Sequence, residues 1–373
     1  MKIVVNTRLL RKNQMDGIGW FTYNTMRYIV QKHPEIEFHF LFDSGIEKDF
    51  LFGENVVPHN LFPPAKHALL NIVWFEVSVR SVLKKLKPDL FLSPDGLLCL
   101  GWNGKQHGVM HDINYHHNPQ DLKWSNSKYY NYFFPRMAKK AARLATVSNY
   151  SKQDIVNTYH IQEEKIDVVY NGVNSFFKPL KAEEQARTKA ALTGGKDYFL
   201  FVGALHPRKN LVRLMKAFDL FKETTGADIQ LVIAGKPMYK EEEIKQYHQQ
   251  MKYKDGVVFP GRVANDDINN VIGSALALTF VPSFEGFGIP IIEAMQCDVP
   301  VISSNTTSMP EVAGDAALLV DPFDVNAIKD AMIKIYSEAS LRQSLIERGR
   351  IRKNFFSWEK TADLLWQSME KIL

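Results

Sequence analysis

Two carboxylates, Glu285 and Glu293, bracket the loop of the segment PSFEGFGIPIIEAM. A β-branched run ends at Pro282, Gly286 and Gly288 permit a tight loop, and Pro290 suits the first turn of a helix. A strand–loop–helix turn of this kind offers backbone N–H groups to an anion at the positive end of a helix dipole. Carboxylates beside a phosphate site repel the phosphate unless they bind something else, and sugar or ribose hydroxyls are their natural partners. The other reading is a plain helix N-terminus whose acidic residues complement the dipole.

A second turn, FVGALHPRKNLVRLMKAF, places Arg208 and Lys209 just after a strand, with Asn210 as the expected N-cap of the next helix. Cations at a helix N-terminus oppose its dipole, a cost that a bound polyanion would offset. A third turn, QMDGIGWFTYN, carries Gly17 and Gly19, but Thr22 stands where a dinucleotide fingerprint has its third glycine. His111 follows a strand-like run beside Asp112 and reads as functional, with a loop histidine bonded to backbone as the other reading. His116 and His117 lie near it, but no carboxylate or cysteine spacing completes a metal site, so no metal is expected.

The elements that must carry these turns are legible as alternating patterns. KIVVN, IEFHFLF, DLFLS, KQHGVMHD, LATVS and IDVVY read as strands, with amphipathic helices such as 19–31 and 69–86 between them. The alternation lapses in the polar stretch KAEEQARTKAALTGGKD, read as a weakly structured linker. It resumes with YFLFVGAL, IQLVIAG, GVVFPGR, LALTFVPS and PVISS, and ends in helical patterns over 326–336 and 358–372 separated by the basic run RGRIRKNFF. Two α/β domains with doubly wound, Rossmann-like parallel sheets follow, facing across a cleft: residues 1–175 and 176–356, with 357–373 packing back on the first.

Composition agrees with this picture and excludes others. The 373 residues are 45% hydrophobic and 23% charged, which rules out disorder, collagen and coiled coil. The net charge of +5 is spread along the chain, suiting an anionic ligand or an acidic membrane surface rather than nucleic acid. Cys99 and Cys297 sit in apolar runs and read as reduced. MKIVVNTRLL has no signal-peptide pattern, so a cytoplasmic location is expected, and membrane contact must be peripheral, on the inner face. KYYNYFFPRMAKKAAR mixes aromatic and basic residues in a way that suits a lipid-phosphate acceptor or an anionic bilayer, with core packing of the rings as the competing reading.

The set of GIG after the first strand, HD at 111–112, VSNYSKQDI, VVYNGV, FVGALHPRKN, FPGRV, SFEGFGIPIIEAM and MPEVAGDAAL resembles the retaining glycosyltransferases of family 4, with the GT-B fold. The resemblance covers almost the whole chain, with bacterial mannosyltransferases foremost. It implies a nucleotide-sugar donor held by the C-terminal domain and an acceptor held by the N-terminal domain. Glu285 would hold the donor sugar's hydroxyls and Glu293 the ribose. Lys209 would contact the diphosphate, with Phe287, Gly288 and Ile289 lining the donor site. Gly17 would lie against the diphosphate and His111 would reach the sugar near its reacting centre, while Arg262 and Val263 resemble the stretch that reads the nucleobase. Many members carry Arg after the glycine where Ala204 stands here, so Arg208 is expected to supply the second positive charge.

The implied reaction moves a hexose, with mannose from GDP-mannose as first choice, to a carbohydrate or lipid-linked acceptor in polysaccharide synthesis. It proceeds by same-face attack, and no Asp-x-Asp triplet occurs to hold a metal, so no cofactor is expected. The rival readings are a nucleotide-sugar epimerase of similar architecture and a non-catalytic carbohydrate- or nucleotide-binding module.

Overall fold

The computed structural model describes residues 1–12, 15, 17–65, 67–236, 238 and 242–373; Gln14 and Asp16 of the QMDGIG turn lie outside them. The chain divides into two units, Met1–Gly172 with Ser357–Leu373, and Val173–Phe356.

In the first unit the strands are β1 (Lys2–Asn6), β2 (Glu37–Phe42), β3 (Val56–Asn60), β4 (Leu90–Ser93), β5 (Gln106–Val109), β6 (Arg143–Thr146) and β7 (Ile166–Val168). They form a 7-stranded sheet in the order β3-β2-β1-β4-β5-β6-β7 with parallel pairings throughout. The second unit holds β8 (Tyr198–Val202), β9 (Gln230–Ala234), β10 (Val257–Gly261), β11 (Ala277–Phe280), β12 (Val301–Ser304) and β13 (Leu318–Val320). Its 6-stranded parallel sheet has the order β10-β9-β8-β11-β12-β13. In both sheets the order reverses direction after the third strand, between β1 and β4 and between β8 and β11. Each such switch point opens a crevice at the carboxyl ends of the strands.

The central strands are buried on both sides, which is why KIVVN, DLFLS and YFLFVGAL read as unbroken apolar runs. β3 and β13 have no counterpart in the sequence patterns. Both are edge strands with half-exposed residues, Pro58 in one and an exposed Leu319 in the other, so neither needs a strong apolar run.

Two helical segments also depart from expectation. The stretch read as a linker contains the helix Ala182–Thr193, started where the Glu184 carboxylate accepts from the Lys181 amide at 2.9 Å and stopped by Gly194 in the left-handed region. The basic run belongs to the end of another helix, Ala339–Arg352, that buries only Leu345 and Gly349. Each buries so narrow a face that apolar periodicity hardly marks it.

The last helix, Trp358–Glu370, belongs to the first unit. It packs on the helix Gly17–Lys32, where Lys32 bonds Asp363 at 2.7 Å and the His33 and Trp366 rings stack at 3.7 Å. Thr361 Oγ1 donates to the Tyr170 carbonyl at 2.7 Å, and Ser368 links His107 and Asp167. The continuous helical stretch over 68–86 presents Glu76 inward, where its carboxylate accepts from the amides of Leu100 at 2.6 Å and Gly101 at 2.8 Å. No helix among the described residues is long and apolar enough to cross a membrane.

Gly172 closes the first unit at the place where the chain later returns. A Cβ there would lie 2.2 Å from the Trp358 nitrogen and 2.5 Å from the Ser357 carbonyl carbon, so backbone would have to move. Gly172→Ala is therefore expected to destabilise this unit by about 1–3 kcal/mol, the usual cost of overpacking. Calorimetric unfolding checks it, and an unchanged transition would contradict the contact.

Candidate active site

The switch point of the second unit gathers the chemistry. β8 and β11 pair in parallel, Ala277 against Phe199 and Leu278 against Leu200, so the turns that follow them leave the sheet side by side. The turn after β8 brings Arg208 and Lys209; the turn after β11 brings Glu285. Arg208 Nη1 donates to Glu285 Oε2 at 2.8 Å and to the Phe284 carbonyl at 3.2 Å, and Lys209 Nζ donates to the same carboxylate oxygen. The Ser283 amide and hydroxyl both donate to the Arg208 carbonyl, at 2.9 and 3.1 Å, tying the two turns through the backbone.

This ion cluster is largely enclosed: the side chains of Lys209 and Glu285 are 9% and 15% exposed. Burial by itself raises the Glu285 pKa, but Arg208 and Lys209 outweigh it and hold the carboxyl below its ordinary value. Glu285 is thus an anion at neutral pH between two cations. The cluster keeps one positive charge in excess, in a place where desolvation strengthens its pull on a polyanion.

Glu293 differs. It stands inside the helix Ile289–Gln296, and no hydrogen bond to its carboxylate occurs among the described residues. Burial lifts its pKa to about 7 with no cation to oppose the shift. A carboxyl left without partners in such a place is ready to accept hydrogen bonds from ligand hydroxyls.

Gly288 caps this helix at φ 94°, and a Cβ there would fall 2.6 Å from the Met309 methyl carbon. Pro290 lies in the first helical turn. The Phe287 ring is buried edge-on to Phe356 at 5.6 Å, so this side chain belongs to the core. The loop is braced from the end of β12 and the turn after it: Ser304 Oγ donates to the Pro282 carbonyl at 2.6 Å and Ser308 Oγ to the Glu285 carbonyl at 2.9 Å. These serines escape the sequence reading; their signal is the hydroxyl-rich run SSNTTS before MPE.

Asn210 sits at the expected N-cap of the helix Leu211–Thr225, but its side chain makes no cap. With φ at 63°, its Nδ2 turns inward to the carbonyls of Val281 at 3.0 Å and Pro322 at 2.6 Å, holding the β8 turn against the β11 turn. Arg262, exposed, and Val263, half-buried, follow β10, which β9 separates from β8.

Gly17 and His111 belong to the first unit. Gly17 opens the helix Gly17–Lys32 with open space where a Cβ would point, whereas a Cβ on Gly19 would meet the Leu9 carbonyl at 3.0 Å. His111 Nε2 lies 2.8 Å from the Pro94 carbonyl, and since a carbonyl only accepts, this nitrogen carries the proton. His117 pairs with Asp154 at 2.7 Å. Among the described residues no group of three or more His, Cys, Asp or Glu is arranged to hold a metal ion. At this unit's switch point, Asp95 accepts from Asn6 at 2.9 Å and Arg8 at 2.7 Å, a cluster that sequence spacing does not reveal.

The raised Glu293 pKa has a sign that can be tested. Between about 4.5 and about 7 the folded chain binds a proton there that the unfolded chain has lost, so stability falls as pH rises through that window. Glu293→Gln is expected to flatten this part of the stability profile and to add roughly 3 kcal/mol above pH 7 as an upper bound. Denaturant titrations at several pH values check it; parallel profiles for both proteins would place the carboxyl in water.

Comparison with known proteins places these features in a family. Residues 15–175 match the family model "Glycosyltransferase Family 4" and residues 182–352 match "Glycosyl transferases group 1". The O-antigen chain mannosyltransferase RfbU of Salmonella typhimurium is 30% identical over 342 residues, 89% of this chain and 90% of that protein. The O-antigen chain mannosyltransferase B of Escherichia coli is 29% identical over 252 residues, 67% of this chain but just 66% of that protein. Among solved structures, a sucrose-phosphate synthase from Thermosynechococcus elongatus matches with a TM-score of 0.81 at 17% identity, over 100% of this chain and 99% of that one. Anabaena HepE in complex with UDP and glucose matches with a TM-score of 0.76 at 15% identity, over 100% of both chains. The fold is GT-B, and the chain belongs to the group 1, family 4 glycosyltransferases.

Proposed function

We propose that this glycosyltransferase moves mannose from GDP-mannose to a carbohydrate or lipid-linked acceptor in cell-surface polysaccharide synthesis, with retention and without a metal ion. The observation that carries the reading is the buried cluster of Glu285 with Arg208 and Lys209 at the β8/β11 switch point. The mannosyl choice draws on the O-antigen mannosyltransferases to which the chain is similar.

In this reading the bond between the anomeric carbon and the diphosphate breaks, and negative charge gathers on the leaving oxygen. Lys209, Arg208 and the backbone at Phe287, Gly288 and Ile289 stabilise it, the task a metal performs elsewhere. The acceptor hydroxyl attacks from the face the diphosphate leaves, and its proton passes to the departing phosphate oxygen. Glu285, already ionised, orients the sugar hydroxyls rather than attacking carbon. Glu293 holds the ribose, Arg262 and Val263 the base, and Gly17 the diphosphate, while His111, its Nε2–H held by the Pro94 carbonyl, reaches the sugar near its reacting centre.

Peripheral attachment to the inner membrane face belongs to the same proposal. The helix Trp124–Lys140 buries Tyr129, Phe134 and Met137 and packs the half-buried Tyr130 and Phe133 against the same core. It nevertheless exposes Trp124 and Tyr132 beside Lys128, Arg136 and Lys139, a face suited to anionic headgroups. Co-sedimentation with phosphatidylglycerol vesicles, lost in Trp124→Ala with Lys128→Ala, is the expected result; equal binding to neutral vesicles would remove the electrostatic part.

The activity test is incubation with GDP-mannose and undecaprenyl-diphosphate-linked oligosaccharide in EDTA. Turnover is expected to survive the chelator, and NMR of the product is expected to show the donor's anomeric configuration. Lys209→Ala is expected to lower kcat about 10²–10³-fold, the cost of removing one charge-stabilising donor. A mannose trapped covalently on Glu285 would overturn the same-face mechanism.

A further inference from the structure

His111 stands half-buried just past β5, and contacts from three different elements meet on it. Its Nε2–H donates to the Pro94 carbonyl, just past β4, at 2.8 Å. Its own carbonyl accepts at 3.3 Å from Ser151 Oγ of the helix Asn149–Tyr159. The third contact is aromatic: the Phe21 ring lies perpendicular to the imidazole, with an interplanar angle of 89° and ring centroids 4.9 Å apart.

The two hydrogen bonds leave one freedom open. Ser151 fixes backbone, and Pro94 fixes a distance and a tautomer, but an imidazole plane still swings about the line of a single N–H···O bond. The torsion that sets this plane is broad, without the sharp wells of a saturated side chain. A second ring packed at right angles removes the swing, because tilting either plane forces overlap or opens a gap.

Phe21 performs this task only if it is itself immobile. It is 0% exposed within the helix Gly17–Lys32. Trp358 backs it, with ring centroids 6.3 Å apart and planes at 76°. Trp358 begins the last helix with its backbone pressed against Gly172, so this ring has a fixed base. The same two helices are clamped a second time, by Lys32 on Asp363 and His33 on Trp366.

We infer that Phe21 is a positioning residue for the transfer reaction: it sets the plane of the His111 imidazole, and the last helix holds Phe21 in place through Trp358. The inference rests on the reading of His111 as the group that reaches the donor sugar, and it adds what aims that group. It also gives the return of residues 357–373 to the first unit a part in the chemistry.

The test uses the full chain labelled with 15N-histidine, alongside transfer assays with GDP-mannose and the lipid-linked acceptor. Ring 15N shifts separate a protonated from a bare nitrogen, so they report the His111 tautomer without turnover; His111→Gln assigns its signals by their disappearance. Phe21→Leu is expected to move those signals from one tautomer toward an averaged mixture. It is also expected to lower kcat about 10-fold or more while KM for GDP-mannose stays within about 2-fold, because a misaimed group costs the transition state more than the ground state. Phe21→Met, nearer in volume, takes its place should Phe21→Leu not fold. Trp358→Leu is expected to shift the His111 signals in the same direction.

Phe75→Leu is the matched control, since Phe75 is 1% exposed and has an aromatic contact of its own with Trp74 at 4.8 Å, in a core cluster without Phe21. It is expected to lower Tm comparably and to leave kcat and the His111 signals as in wild type. Unchanged His111 signals in Phe21→Leu overturn the inference, as do equal losses of kcat in Phe21→Leu and Phe75→Leu. Full activity of His111→Gln would strike the reading of His111 itself, and is told apart by the NMR measurement, which needs no turnover.

Discussion

Everything at the switch point of the second unit depends on holding one carboxylate and two cations together in a place with little water. Lone burial of Glu285 would neutralise it, and lone burial of Lys209 or Arg208 would carry a heavy desolvation cost. Together they stay charged, and the hydrogen bonds from Ser283 and Ser308 and the inward-turned Asn210 keep their turns in register. In the proposed reaction such an arrangement would be preorganised for developing phosphate charge, because its dipoles are set during folding rather than during reaction.

The strand order makes this arrangement possible. Arg208 and Glu285 are 77 residues apart in sequence and become neighbours only because β11 crosses over to pair with β8. The same reversal in the first unit sets β4 beside β1 and brings Asp95 to Asn6 and Arg8. Both halves thus use one topological device to place polar side chains at the carboxyl ends of a parallel sheet, and they differ in what they place there. The second unit gathers a net positive cluster suited to a diphosphate. The first offers a histidine whose proton position is set by a backbone carbonyl.

Much of the fold is legible in the chain. Buried parallel strands need apolar residues on both faces, so KIVVN, DLFLS and LALTFVPS announce themselves. What escaped notice is what the core does not demand. The edge strands β3 and β13 pair on one side only, and the helices Ala182–Thr193 and Ala339–Arg352 bury too little to impose a period. Their existence follows from capping, propensity and docking onto a framework that other segments build.

The same division holds at the site. Local sequence determined the glycine loop, Pro290 in the first helical turn, and the spacing that puts Glu285 before the loop and Glu293 inside the helix, because these obey backbone rules within one turn. Tertiary structure decided that Arg208 and Lys209 meet Glu285, that Asn210 turns inward instead of capping, that Ser308 braces the loop, and that Glu293 lies in surroundings that raise its pKa. Those outcomes depend on which strands pair and how much solvent is excluded, and neither quantity is a function of neighbouring residues along the chain.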